Sequence, residues 1–103
     1  MDSKALFTVL ANTNIRQVIE YLHIHWGIGS SLKYYKKVLE FRKIVKGMPE
    51  IGRIYMKVKG KEIRQYPVTK QNMILYRIDD NRVTILKIFD VRQHPNKKLQ
   101  GIK

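Results

Sequence analysis

Apolar positions in the first half of the chain recur with a helical period. Ile15, Val18, Ile19, Leu22 and Trp26 fall at i, i+3, i+4, i+7 and i+11, which predicts a helix with one apolar stripe. Asn12-Thr13-Asn14 stands before it, with side-chain oxygens able to accept from the orphan N–H groups of a first turn. Gly27-Ile28-Gly29 ends it, and Ser30-Ser31 can cap a second helix. That helix carries Leu32, Tyr35, Val38, Leu39, Val45 and Met48 near one stripe. Lys33, Lys36, Lys37, Lys43 and Lys46 occupy the other face, and Gly47 and Pro49 close it. The two form a helical hairpin, and both need a sheet to cover.

The second half changes period. NMILYRI (72–78) and RVTILKIF (82–89) read as strands around the turn residues Asp79-Asp80-Asn81, and a third strand is expected near 62–68. Residues 53–61 read as a basic lead-in, and KALFTVL (4–10) as a first strand. The expected fold is α+β: an N-terminal strand and a helical hairpin packed on a small antiparallel sheet, in the order β-α-α-β-β-β. Residues 82–89 are apolar on both faces, as in a strand covered on both sides. The next residues, Asp90-Val91-Arg92-Gln93-His94-Pro95, are polar, and Pro95 stops the ladder. That exit is either a contact surface offering Arg92 or an Asp90–Arg92 pair that pins the chain.

At 103 residues and 44% hydrophobic content, residues 1–103 are expected to form one domain with a modest core. Without cysteine, the chain has no disulfide framework, thiolate metal site or cysteine nucleophile. No apolar run approaches the length of a membrane span, and no signal peptide is evident, so a cytoplasmic protein without a membrane partner is expected. Charge changes the picture most. The net value is +13, yet in residues 1–31 Lys4 and Arg16 balance Asp2 and Glu20. All the excess lies in residues 32–103, which points to a polyanionic or acidic partner.

Candidate chemistry is sparse. His23 and His25 are two apart on a helix and do not face each other, so no metal site is expected. No phosphate-cradling glycine loop or serine elbow occurs, and no cofactor is expected. Asp79-Asp80 reads as a hairpin turn and not as a catalytic carboxylate pair. The basic stretch is more suggestive. Lys57, Lys59, Lys61, Arg64, Tyr66 and Lys70 lie on or beside one strand, and Arg77 and Arg92 come from its neighbours. Such a surface can grip phosphates and stack a base, or hold an acidic peptide through Arg–carboxylate pairs.

Four segments, IEYLHIHWG (19–27), KGMPEIG (46–52), ILYRIDDNRVTIL (74–86) and IFDVRQHPNK (88–97), together resemble the RelE/ParE family of bacterial type II toxins. They cover nearly the whole chain, in the family's order and spacing. The resemblance implies the same helical hairpin on an antiparallel sheet, growth inhibition, plasmid stabilisation, and a cognate antitoxin whose acidic, apolar segment folds onto the hairpin and sheet. RelE-like members are ribosome-dependent mRNA endonucleases. In that branch Arg64 matches a sheet cation, and Arg92 and His94 would serve as charge stabiliser and acid. However, Met73, Gln93 and Leu99 stand where the branch has an arginine, an arginine and a tyrosine. ParE-like members are associated with DNA gyrase inhibition. The long hairpin and Arg92 after the last strand resemble that branch more.

Overall fold

The computed structural model describes residues 4–92. The order is β1 (Lys4–Phe7), α1 (Val9–Trp26), α2 (Ile28–Gly47), a 3-10 turn (Pro49–Ile51), β2 (Arg53–Val58), β3 (Lys61–Pro67), β4 (Asn72–Asp79) and β5 (Arg82–Asp90). The five strands form one sheet in the order β1-β5-β4-β3-β2. β3 to β5 make the expected antiparallel meander, β2 extends it by one strand at the edge, and β1 joins in parallel beside β5, so the sheet is mixed and not purely antiparallel. The lead-in at 53–58 is itself a strand. Ile54, Met56 and Val58 alternate with polar residues there, but as an edge strand it keeps enough exposed charge to hide the pattern.

Helix α1 begins earlier than the asparagine cluster suggests. Thr8 is the cap: its Oγ1 accepts from the Ala11 amide at 3.0 Å and donates to the Leu86 carbonyl at 2.8 Å. Asn14, inside the helix, accepts from the Ile88 amide at 3.0 Å. The register explains both contacts. β1 pairs with β5 only as far as Ile85, so the next edge groups of β5 need other partners, and α1 supplies them. The Asn14 side chain therefore caps a strand edge and not the helix. Gly27, at φ +91°, is the only residue between the helices, in a conformation that L side chains rarely adopt.

The hairpin covers one face of the sheet. Ala11, Ile15, Tyr34, Val38, Phe41 and Val45 pack on Ile74, Tyr76, Val83, Ile85 and Ile88. The inward face of α2 is thus not the stripe that the sequence suggests. Val38 and Val45 are buried, but Leu32, Tyr35, Leu39 and Met48 are 54%, 44%, 41% and 54% exposed. Ser31 and Tyr34 turn inward in their place, and each is satisfied by a hydrogen bond: Ser31 to the Ile28 carbonyl, Tyr34 to Asn72 Oδ1. On α1, Ile15 is buried and Trp26 is 71% exposed. Arg42 holds α2 to β1, donating to the Ala5 carbonyl at 3.2 Å with its guanidinium 5.8 Å from the Phe7 ring centroid.

Candidate protein-contact groove

Strand register disperses the predicted basic cluster. Arg77 pairs with Ile63 and Thr84 across its neighbours, on the opposite face from the hairpin-facing row of Tyr76 and Ile85. It donates to both oxygens of Asp79 at 3.0 and 2.9 Å, Lys61 reaches the same carboxylate at 2.7 Å, and Thr84 donates at 3.1 Å. Asp79 is 6% exposed. Burial raises its pKa, but the donors from Lys61, Arg77 and Thr84 outweigh that and hold it below the usual carboxylate value. Asp79 therefore ends β4 as the hub of an ion-pair cluster. The turn itself is carried by Asp80, at φ +38°, and Asn81.

Arg64 is a structural clamp. Its Nε donates to Glu62 Oε1 at 2.9 Å, and its Nη1 donates to the carbonyls of Gly52 at 2.6 Å and Glu50 at 3.0 Å. The guanidinium thus ties the 3-10 turn to the sheet edge. Beside it the Tyr76 hydroxyl donates to the Pro49 carbonyl at 2.6 Å and accepts from the Gly52 amide at 2.8 Å. Burial raises the Tyr76 pKa. Tyr66 lies with its ring centroid 5.1 Å from that of Phe41, as part of the core and not as a base-stacking platform. Lys57 is exposed on the edge strand, Lys59 sits in the tight β2–β3 turn at φ +52°, and Lys70 is exposed in the β3–β4 loop. The eight residues are therefore not one patch.

A broad groove lies elsewhere, between the helical hairpin and the end of the sheet. It encloses about 1170 Å³. Lys33, Tyr34 and Lys37 from α2, Asn14, Gln17 and Tyr21 from α1, Gln71 just before β4 and Asn72 at its start, and Lys87 to Asp90 of β5 line it, together with Arg92 and Trp26. Across it the Tyr34 hydroxyl donates to Asn72, and burial pushes the Tyr34 pKa well above the ordinary tyrosine range. Lys87 is 7% exposed, and burial lowers its pKa. Arg92 grips both oxygens of Asp90, at 3.0 and 2.7 Å, which lowers the carboxyl pKa. Of the two readings of the strand exit, the Asp90–Arg92 pair is present, and Arg92 is also among the residues that line the groove. His94, with Gln93 and Leu99, lies outside the described residues.

Lys33 and Lys37 were legible only as members of a solvated helix face; the groove below them is made by long-range packing. Together the walls offer exposed aromatic rings, amides and cations with a single carboxylate, Asp90. That composition suits an acidic polypeptide with apolar anchors. Among the described residues no group of three or more His, Asp or Glu side chains is placed to hold a metal. His23 and His25 are exposed, and His25 packs on Tyr21 with ring centroids 4.3 Å apart. No helix among the described residues is long and apolar enough to cross a membrane.

Comparison with solved structures finds the same architecture, a hairpin laid on a small sheet, in chains from toxin–antitoxin complexes. The chain superposes on a chain of the chromosomal ParDE system from P. aeruginosa with a TM-score of 0.72 and 17% identity, covering 87% of this chain and 97% of that one. For the archaeal RelE–RelB complex from Pyrococcus horikoshii the TM-score is 0.67 at 14% identity, covering 91% and 100%. For the RelBE2 complex from Mycobacterium tuberculosis it is 0.58 at 19%, covering 87% and 99%. At these identities the likeness concerns the fold alone. The family itself is shown by sequence: residues 5–95 match the model of the ParE toxin of the type II toxin–antitoxin system parDE. The chain belongs to this family, within the RelE/ParE toxins of type II systems. Comparison with curated proteins gave no match.

Proposed function

We propose that residues 1–103 act as one toxin domain that arrests growth from the cytoplasm by binding DNA gyrase, and that a cognate antitoxin neutralises it. The observation that carries the choice of target is the state of Arg64. It is the sheet cation at a nuclease-like position among the described residues, and its guanidinium is engaged by Glu62 and two backbone carbonyls. A guanidinium so engaged is not poised over a scissile phosphate, which would need unspent donors aimed at developing charge. Met73 at the strand position of a second nuclease arginine supports the same reading.

The solved relatives are toxin–antitoxin pairs, and an acidic, apolar antitoxin segment matches the groove beneath the hairpin. Its aromatic rings would receive apolar anchors, and Lys33, Lys37 and Arg92 would receive carboxylates. Lys57, Lys59, Lys61 and Lys70, all exposed, add to the field that steers an acidic partner inward. The test is inducible expression of this chain alone in a bacterial host, with growth, mRNA integrity and a DNA-damage reporter followed together. Arrest with a damage response and intact mRNA is the expected result. Arrest with ribosome-dependent mRNA cuts would replace the gyrase reading with the endonuclease one.

A further inference from the structure

Helix α2 carries a second apolar stripe that the fold does not use. Ile28, Leu32, Tyr35 and Leu39 are 62%, 54%, 44% and 41% exposed. Their spacing of four, three and four is the a/d rhythm of a coiled-coil seam, about 16 Å long at 1.5 Å per residue. The face that packs on the core, through Ser31, Tyr34, Val38, Phe41 and Val45, is centred about 110° around the helix from this stripe at 100° per residue. Lys33 and Lys37, which line the groove, lie on the far side of the helix from it.

Charge determines what can cover the seam. Lys36 and Lys43 stand seven residues apart along its open rim, and Lys46 continues its line toward the helix end. No ion pair engages these lysines among the described residues. A second copy would bring the same lysines and a net charge of +13 against +13. A seam of four side chains is also short for the roughly 1,200 Å² that a stable pair of subunits buries. An amphipathic helix with carboxylates beside its own apolar seam removes the charge obstacle, and a line of four side chains at this spacing is the size of contact that one such helix makes.

We infer that the outer flank of α2 is a docking seam for an amphipathic helix of a partner protein, with Leu or Ile side chains set between Leu32 and Leu39 and carboxylates facing Lys36 and Lys43. The seam is separate from the groove, and the inference holds whichever target the toxin acts on.

The test uses the full chain and a synthetic helical peptide of about three heptads with Leu at a and d and Glu at e and g, a twin peptide with Lys at e and g, and anionic phosphatidylglycerol vesicles. Binding is followed by calorimetry, and its location by amide chemical shifts. The Glu peptide is expected to bind and to shift Ile28, Leu32, Tyr35 and Leu39. The double variant Leu32→Ser/Leu39→Ser should lose at least about tenfold in affinity. Lys36→Glu/Lys43→Glu should weaken the Glu peptide and admit the Lys peptide. All four positions are exposed, and thermal melts check that both variants stay folded. No binding by the Glu peptide, or binding that both variants leave unchanged or that maps to Tyr21 and Asn72, would overturn the inference. So would vesicle binding or self-association that the Leu32→Ser/Leu39→Ser change abolishes while peptide binding is absent.

Discussion

The sheet and the hairpin of this toxin carry positive charge in different ways. On the sheet, Arg64, Arg77 and Lys61 each meet a carboxylate within 3.0 Å, from Glu62 or Asp79. On the hairpin, Lys33, Lys36, Lys37, Lys43 and Lys46 make no ion pair among the described residues. A cation already matched to a carboxylate and a carbonyl contributes to the fold and has little left for a partner. An unmatched lysine adds nothing to the fold and keeps its charge available. The excess charge that looks like a property of one strand in the sequence is, in the folded chain, offered by α2 together with the exposed Lys57, Lys59 and Lys70, while Arg64 and Arg77 are taken up by the fold.

Changes around the clamp should give the largest effects on stability. A Cβ at Gly52 would lie 2.7 Å from both the Gln65 carbonyl oxygen and the Tyr76 hydroxyl, one of them backbone. Gly52→Ala should therefore destabilise by about 3 kcal/mol or more, read by urea unfolding, because neither neighbour can give way without losing its hydrogen bonds. Arg64→Ala strands two carbonyls and the Glu62 carboxylate, and should cost about 1–3 kcal/mol. If Arg64→Ala left stability unchanged yet abolished toxicity, the division between sheet and hairpin would fail at its first residue.

Smaller effects sharpen the same division. Thr8→Ala removes a helix cap and a bond to the β5 edge, for about 1 kcal/mol. Asp79 supplies a pH signature. Its folded pKa lies below its ordinary value of 3.8, so its contribution is fully present above that value and is lost as pH falls through the folded one. Asp79→Asn should flatten the acid limb of a stability–pH curve and leave its neutral-to-alkaline shape unchanged. Arg92→Ala, at an exposed pair, should leave the urea midpoint close to that of the native chain. Any larger effect should appear in partner binding.

Much of this was written locally in the chain. The α1 stripe, the two apolar strands and the acidic turn follow from period and turn chemistry. What was not legible depends on distant partners. β1 lies beside β5 in parallel, a pairing across 78 positions, from Lys4 to Arg82, that no local pattern announces. The inward face of α2 uses Ser31 and Tyr34, polar residues made tolerable by bonds to Ile28 and Asn72, while better apolar residues stay outside. Arg64 and Tyr66 read as a binding surface because nothing nearby in the sequence shows that Gly52, Glu50 and Phe41 reach them. The segment resemblance identified the family, since it depends on order and spacing of motifs and not on where each side chain points.

The most direct measurement compares growth arrest by three induced proteins of equal abundance and confirmed folding: the native chain, Lys33→Glu/Lys37→Glu, and Lys61→Gln/Lys57→Gln. If the groove face of the hairpin carries the target contact as well as receiving the antitoxin segment, the first variant releases growth, with its melting temperature within a few degrees of the native chain, and the second still arrests it. Arrest undiminished by the hairpin reversal, together with release by the sheet variant, would return the contact to the sheet and contradict the account.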